Sequence, residues 1–276
     1  MRKAALLAVA GLILAGCAAT DIDTESRDFQ VQQTSVAAGA GQTTSLDTMS
    51  GLVRNSGPSY VTLIVSGGKD AGVVLDQKDQ KKAAVTAGSG FVADQAGHIM
   101  TAAHVGVRPG NTVSARAANG RVYSGTVIAM LPTNDMAIVK LRGFSGRPVT
   151  PAATRCMPKG SMVYSLGRPH AQGDTARIGE LDSPRFGRAV TYGPFGYPDA
   201  MVLKMSTQKG ESGGPLFDKS GQLVGMIVST LYDGAGKPLN LAHAIPLETL
   251  AGFLCSKTSC PAPWKQASAA QSCAGG

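Results

Sequence analysis

Three short segments of the chain carry residue types that together can perform nucleophilic catalysis. They are TAAHV at 101–105, NDMAIV at 134–139 and GESGGPL at 210–216, and they supply His104, Asp135 and Ser212. A serine hydroxyl is inert at neutral pH, so it needs an imidazole to accept its proton, and the imidazole needs a carboxylate that fixes its tautomer and stabilises the cation. We therefore expect His104 to act as general base and then acid, Asp135 to orient it, and Ser212 to attack.

The glycines around the serine predict an oxyanion hole. Gly210 and Gly213 permit a tight, partly left-handed backbone. Such a turn lets the N–H groups of Gly210 and Ser212 converge on the negative charge that develops during attack on a carbonyl. A side chain at position 210 would block this turn.

The same serine also fits the nucleophile-elbow pattern G-x-S-x-G of esterases, with Asp233 and His243 following in the order of that class. An elbow leads directly into a helix, whereas here PLF and a KSG turn follow the serine. No alternation of strands and helices precedes it. The surrounding sequence therefore disfavours an esterase.

The composition predicts a globular, all-β protein around these segments. Hydrophobic residues make up 43% and charged residues 16%, which is too apolar for a disordered chain. Gly 35 and Pro 15 provide many turns, and short apolar runs recur at intervals of roughly 8–12 residues. Strands are predicted at 60–66, 89–93, 99–102, 112–117, 122–129, 136–141, 162–166, 175–181, 201–206, 214–217, 223–229 and 241–245, and a short C-terminal helix at 246–255. Twelve strands and one helix favour two six-stranded antiparallel β-barrels.

The first residues resemble a bacterial lipoprotein signal. Arg2 and Lys3 precede an apolar stretch at 4–15, and LAGC ends at Cys17. The resemblance implies cleavage before Cys17 and its acylation, which would anchor an exported protein to a lipid bilayer. Ala18 after the cysteine suggests sorting to the outer membrane, facing the periplasm. An ordinary signal peptide cut near Ala18 or Ala19 is the alternative.

The chain is accordingly divided into four parts. The stretch 18–48, after Cys17, lacks large apolar groups and has neither strand nor helix periodicity. It is therefore predicted to be a flexible tether with a reach of roughly 30 Å. The boundaries are a lipoprotein signal peptide at 1–16, a lipid-anchored tether at 17–48, a folded domain at 49–265 with barrels at about 49–148 and 149–265, and a tail at 266–276.

Cysteines, histidines and charge exclude several other classes. Cys156, Cys255, Cys260 and Cys273 form an even set for an oxidising compartment, and three pairings stay open. The histidines are dispersed and there is no Cys-x-x-Cys or His-x-x-x-His pair, so we expect no metal and no organic cofactor. The net charge of +8 is scattered and aromatic residues are only 5%, which gives no support for nucleic-acid binding.

The three catalytic segments carry a family resemblance. TAAHV, NDMAIVKL and GESGGPLF follow the order His, Asp, Ser and resemble the chymotrypsin-type, or trypsin-like, serine peptidases. With GSGFV and AHAIP, the stretch 57–255 is most similar to the bacterial HtrA (DegP-type) protease domain. The resemblance implies two perpendicular barrels with the site between them, and a serine endopeptidase that cleaves proteins or peptides through an acyl-enzyme. The alternative is a catalytically latent binding module of the cell envelope on the same fold.

Two departures from the family pattern limit what the resemblance implies. HtrA proteins usually carry a PDZ domain after the protease, but only about twenty residues follow Cys255 here, so activation through a PDZ groove is not expected. Digestive members pair the acidic residue before the serine with a freed N-terminus. Nothing in this chain matches that cleavage site, so Glu211 is expected to have another partner or to face solvent. Any latency is expected to depend on the order of the loops around 167–200.

Position relative to the nucleophile gives a substrate pocket made of Ser206, Thr207, Ser229, Leu231 and His243. Ser206 stands where trypsin-like members that cleave after Lys or Arg place an Asp. The resemblance therefore implies a small or medium uncharged P1 residue. His243 is expected to pack within its strand, with recognition of an acidic P1 side chain as the alternative.

Overall fold

The computed structural model describes residues 29–33, 46–66, 74–75, 81–82, 85–144, 146–153 and 156–269. Strands dominate this part of the chain, and the helices are short. The elements are β1 (Gln30–Gln33), α1 (Leu46–Ser56), β2 (Tyr60–Ser66), β3 (Val74–Leu75), β4 (Lys81–Lys82), β5 (Val85–Val92), β6 (His98–Thr101), α2 (Ala103–Gly106), β7 (Thr112–Arg116), β8 (Val122–Leu131), β9 (Met136–Leu141), β10 (Met162–Gly167), β11 (Thr175–Ser183), β12 (Val190–Tyr192), β13 (Phe195–Tyr197), β14 (Met201–Lys204), β15 (Pro215–Asp218), β16 (Leu223–Tyr232), β17 (Pro238–Pro246), α3 (Leu247–Lys257) and α4 (Ala262–Ala269).

The first barrel is a closed antiparallel ring in the order β2-β5-β6-β9-β8-β7. In β7 burial alternates along the strand, with Val113 and Ala115 buried and Thr112 and Ser114 exposed. Closure of the ring leaves no free sheet edge in this barrel. The strand β6 ends at Thr101, immediately before the segment that carries His104.

The second barrel is a ring in the order β11-β10-β15-β16-β17-β14, and it closes because β14 pairs back onto β11. All twelve strands predicted from the sequence are present in the two rings, with ends that differ by a few residues. The prediction of an all-β fold with two six-stranded antiparallel barrels is therefore confirmed. The residues 210–214 lie in the connection that enters β15.

A further strand joins the second barrel from the N-terminal side. The strand β1 pairs in parallel with β11, from Gln30 opposite Thr175 to Gln33 opposite Ile178. It occupies the half of β11 that β14 leaves open, since β14 pairs from Glu180 onwards. This corrects the prediction of a flexible tether at these four residues, because an open strand edge offers backbone hydrogen bonds that outweigh a weak local pattern. Residues 46–48 at the end of the predicted tether form the start of α1 instead. The stretches 17–28 and 34–45 of the predicted tether, and the predicted signal peptide with Cys17, lie outside the described residues.

The C-terminal part adds two helices to the barrels. The predicted helix at 246–255 is observed as α3, with Leu250 and Leu254 fully buried. The helix α4 was not expected, and it ties the two barrels together because the indole N–H of Trp264 donates to the Ala93 carbonyl at 2.9 Å. It also crosses the predicted boundary between the domain and the tail.

A disulfide joins Cys255 at the end of α3 to Cys260 before α4. Cys156 is disulfide-bonded as well. No helix of the described residues has the length and apolar character that a bilayer crossing needs.

Candidate active site

His104 lies on α2, the single helical turn that follows β6. Its side chain is 26% exposed, and its ring nitrogen Nδ1 lies 2.9 Å from Oδ2 of Asp135, a carboxylate with no exposed surface. The backbone N–H of His104 also donates to Asp135 Oδ1, at 3.0 Å. The carboxylate therefore fixes the imidazole through two separate groups, and it sets the tautomer with the proton on Nδ1 and a free acceptor at Nε2.

Asp135 reaches this position through an uncommon backbone conformation. It follows the 3₁₀ turn Pro132–Asn134 and has left-handed dihedral angles, φ 47° and ψ 46°. Aspartate tolerates this region better than most side chains do. The sharp turn directs the carboxylate beneath His104 before the chain enters β9.

Tyr192 is a member of the site that the sequence did not reveal. Its hydroxyl donates to Asp135 Oδ2, and its ring packs edge-on against His104 with the centroids 5.8 Å apart. Burial and the charge of Asp135 raise the pKa of this tyrosine far above its usual value, so it stays protonated as a donor. Phe195 contacts the same imidazole. The only signal was the aromatic cluster YGPFGY at 192–197, in a chain with few aromatic residues.

The backbone of the turn around Ser212 has positive φ angles at two glycines, as the sequence predicts. Gly210 has φ +99° and Gly213 has φ +83°. A Cβ at Gly213 would lie 2.2 Å from the Ser89 carbonyl oxygen, and one at Gly210 would lie 2.4 Å from the Arg168 carbonyl oxygen. No side chain fits at either point without displacing backbone.

The same contacts bring the serine turn to the first barrel. The N–H of Ser89 donates to the Ser212 carbonyl at 2.9 Å, and the Cβ position of Gly213 lies 2.9 Å from the backbone nitrogen of Ala102, two residues before His104. The Ser212 hydroxyl donates to the Val228 carbonyl at 3.4 Å. Among the described residues there is no hydrogen bond between Ser212 and His104, so the structure brings two of the three predicted catalytic residues into contact and holds the third beside them.

The two backbone N–H groups predicted for the oxyanion hole make no hydrogen bond to another described residue. Within the described part of the chain, the N–H groups of Gly210 and Ser212 donate to no acceptor, whereas that of Glu211 between them donates to Gln208 and that of Gly213 donates to Ile227. Since buried or half-buried N–H groups are normally paired, two unpaired donors flanking a turn are available to a ligand oxygen.

Glu211 is buried and paired, so the expectation of a partner other than a freed N-terminus holds. Its Oε1 accepts from Arg177 Nε at 2.8 Å, with the two side chains 2% and 6% exposed. Its Oε2 accepts from the N–H of Gln208. Burial raises the pKa of this carboxyl, and the adjacent Arg177 cation opposes that shift.

The predicted pocket residues lie on β16, β17 and the connection after β14. Thr207 is buried, and its hydroxyl lies 2.6 Å from that of Thr230. Ser229 bonds Tyr197, whose hydroxyl also lies 2.8 Å from His243 Nδ1. Ser206 and Leu231 are half-buried.

The side chain of His243 on β17 is buried and is not exposed to solvent. It is 2% exposed and lies against the Phe186 ring at 4.3 Å between centroids. Burial, with the nearby Arg188 cation, lowers its pKa to about 4, so the imidazole is neutral at pH 7. The described residues contain no group of three or more metal-ligating side chains.

Comparison with known proteins places the chain in a family. Residues 88–226 match the trypsin-like peptidase domain, and because this is half of the sequence, the chain belongs to that family. This agrees with the resemblance seen in the three segments.

Individual relatives point to one branch of the family. The chain is 28% identical over 171 residues to "Protease Do-like 1, chloroplastic" of Arabidopsis thaliana, covering 60% of this chain and 38% of the relative. It is 30% identical over 167 residues to "Probable periplasmic serine endoprotease DegP-like" of Brucella suis, covering 60% and 31%. It is 29% identical over 168 residues to "Serine endoprotease DegS" of Escherichia coli, covering 59% and 46%. The chain thus spans only a part of each of these relatives.

Solved structures share the fold. The active form of the Rv3671c protease from M. tuberculosis superimposes with a TM-score of 0.62 at 26% identity, over 85% of this chain and 92% of that one. An HtrA-type protease with a bound tripeptide gives the same TM-score of 0.62 at 20% identity, over 75% of this chain and 62% of that one.

Proposed function

We propose that the protein is a serine endopeptidase that hydrolyses peptide bonds through an acyl-enzyme, with His104, Asp135 and Ser212 as its catalytic residues. The observation that carries the proposal is the His104 ring held on the fully buried Asp135, beside a serine turn whose Gly210 and Ser212 N–H groups are free. Membership of the trypsin-like peptidase family supports it.

The mechanism follows from these groups. His104 Nε2 accepts the proton of Ser212 as its oxygen attacks the scissile carbonyl, and the Asp135 carboxylate stabilises the imidazolium. The N–H groups of Gly210 and Ser212 donate to the oxyanion of the tetrahedral intermediate. His104 then protonates the leaving amine, the ester forms on Ser212, and water activated by the same imidazole releases the product. The hydroxyl must first turn from Val228 towards His104.

The pocket favours a small uncharged P1 residue. The hydroxyls of Thr207 and Thr230 lie 2.6 Å apart, so this part of the proposed pocket is polar but uncharged. Ser206 brings no carboxylate to attract Lys or Arg, and the neutral His243 brings no positive charge to attract Glu. A P1-scanning peptide library is expected to show Ala, Val or Ser as the preferred residue. Preference for a charged P1 residue would refute this assignment.

We further propose that the protein is exported and tethered in the bacterial envelope by acylated Cys17, facing the periplasm. The lipobox-like LAGC at 14–17 supports the anchor, and the word periplasmic in the name of the Brucella relative supports the compartment. Mass spectrometry of the mature N-terminus tests the anchor. A chain that begins at Cys17 with added acyl mass supports it, and an unmodified N-terminus elsewhere overturns it.

One observation favours the second candidate, a latent binding module. The Ser212 hydroxyl bonds a backbone carbonyl instead of His104, as a resting site would. The full chain is therefore treated with a fluorophosphonate, and its intact mass is compared with that of Ser212→Ala. A single adduct that maps to Ser212 and is absent from the variant supports the endopeptidase. No adduct on folded protein supports the latent module.

A further inference from the structure

The residue directly before the nucleophile is anchored to another strand by charge. Glu211 and Arg177 form an ion pair 2.8 Å long, with both side chains almost fully buried. Arg177 lies on β11, and the two residues are 34 positions apart in the chain. A buried carboxylate without a cation would be strongly disfavoured, so the pair forces Glu211 to keep its side chain on β11.

Glu211 is also fixed through its backbone. Its N–H donates to the Gln208 carbonyl at 3.1 Å, and its own carbonyl accepts from Gly214 at 3.0 Å. The N–H of Ser212 belongs to the peptide group directly after Glu211, and the N–H of Gly210 lies one peptide group further back than the N–H of Glu211. Because the backbone on both sides of Glu211 has few remaining degrees of freedom, the position of the carboxylate determines where those two donors point.

The N-terminal strand β1 supplies a hydrogen-bond acceptor for an outer nitrogen of the Arg177 guanidinium. Arg177 Nη1 donates to the side-chain oxygen of Gln32 on β1, while Nη2 has no partner among the described residues. The strand is held in register by the parallel pairing with β11 and by the N–H of Gln30 on the Asp174 carbonyl, at 3.0 Å.

We propose that the Arg177–Glu211 pair sets the direction of the oxyanion-hole donors, and that β1 completes this pair through Gln32, so that the N-terminal segment acts on the catalytic turn. Arg177 and Gln32 are positioning residues, since neither touches the reacting atoms. The inference rests on the proposed endopeptidase function, and it gives the strand that leads from the predicted membrane anchor a direct effect on turnover.

The ion pair is tested in the full-length protein with a fluorophosphonate as the probe. The variant Arg177→Met is expected to lower the inactivation rate constant kinact by about 10²–10³, as the loss of one oxyanion donor does. The half-saturating probe concentration should change by less than about threefold, because the pocket is not altered.

A double variant separates positioning from a loss of stability. Arg177→Met with Glu211→Gln removes the pair without leaving a buried unpaired charge, so its Tm is expected to return towards that of the wild type. If the pair orients the turn, kinact stays at least about tenfold low. A double variant whose kinact recovers together with its Tm would overturn the proposal.

The strand is tested by two matched substitutions. Gln32→Ala removes the partner of Arg177 and is expected to lower kinact by about three- to tenfold. Gln30→Ala changes the same residue type on the same strand but leaves the contact intact, so its kinact should equal that of the wild type. Equal rates for the two variants would show that β1 has no part in catalysis.

The outcome also distinguishes this inference from the proposed function. A wild-type chain that does not react refutes the endopeptidase, but the coupling is still measured by the amide chemical shifts of Gly210 and Ser212 in wild type and Arg177→Met. Shifted resonances for these two amides support the coupling. Unchanged resonances overturn it whether or not the enzyme turns over.

Discussion

Replacing Tyr192 by phenylalanine removes a single hydroxyl that donates to Asp135, the carboxylate that holds the His104 imidazole. The Asp135 carboxylate is fully buried and accepts from the backbone and ring of His104 and from this hydroxyl. Hydrogen bonds to charged groups contribute about 1.5–3 kcal/mol, and a buried charge left short of a donor costs at least as much. We therefore expect Tyr192→Phe to lower the free energy of unfolding by about 2 kcal/mol.

The effect on catalysis should be smaller than that of removing the carboxylate. His104 keeps both of its bonds to Asp135 in this variant, so its tautomer is preserved. A carboxylate-to-amide change in a trypsin-type triad lowers kcat by about 10⁴ because it selects the wrong tautomer. For Tyr192→Phe we expect a loss of only about tenfold, which corresponds to about 1.4 kcal/mol in the transition state.

Urea unfolding and the fluorophosphonate rate measure the two effects on the same samples. Tyr232→Phe is the matched control, because Tyr232 is 56% exposed and should change the free energy of unfolding by less than about 0.5 kcal/mol. If Tyr192→Phe stays within that range and reacts at the wild-type rate, the hydroxyl does not support Asp135 and the reasoning is refuted.

Three further outcomes are expected. Gly210→Ala places a Cβ 2.4 Å from a backbone oxygen at φ +99°, so labelling of Ser212 should fall by at least about 10²; labelling at the wild-type rate would contradict the turn geometry. The pKa of His243 is depressed to about 4, so the stability that its neutral form provides is complete above pH 6.5, and about 3 kcal/mol of it is lost as the pH falls from 6.5 to 4; urea midpoints should fall over this pH range in wild type and not in His243→Phe. Burial raises the pKa of Tyr164 to about 12, so stability is lost as the pH rises from 10 to 12, and an identical alkaline midpoint for Tyr164→Phe would argue against it.

Local pattern was sufficient for most of the fold. Strand periodicity and turn residues predicted all twelve strands of the two barrels. This works because apolar runs and the turns between them are patterns of residues that are neighbours in the chain. The pattern missed β1, whose four residues QVQQ carry little apolar signal and gain their strand conformation from the open edge of β11. It also missed the hairpin of β12 and β13, which lies in a long stretch rich in glycine and proline.

The three candidate segments were visible for a different reason. His104, Asp135 and Ser212 each stand in a short motif and supply a base, a carboxylate and a nucleophile in that order, and the glycines of GESGG have a steric role that can be predicted from the residue type alone. His104, Asp135 and Ser212 could therefore be named as candidates before any contact was known. Their partners could not, because any tyrosine or arginine can satisfy a buried carboxylate.

The sequence by itself determined the strands, the order of the three chemical groups and the positions where only glycine fits, since each depends on residues close together in the chain. Only the tertiary structure decided that Tyr192 supports Asp135 from 57 positions away and that Gln32 reaches Arg177 from 145 positions away. The physical reason is the same in both cases. A buried charge must be satisfied by whatever donor the packed barrels bring to it, and that donor is set by the closure of the fold.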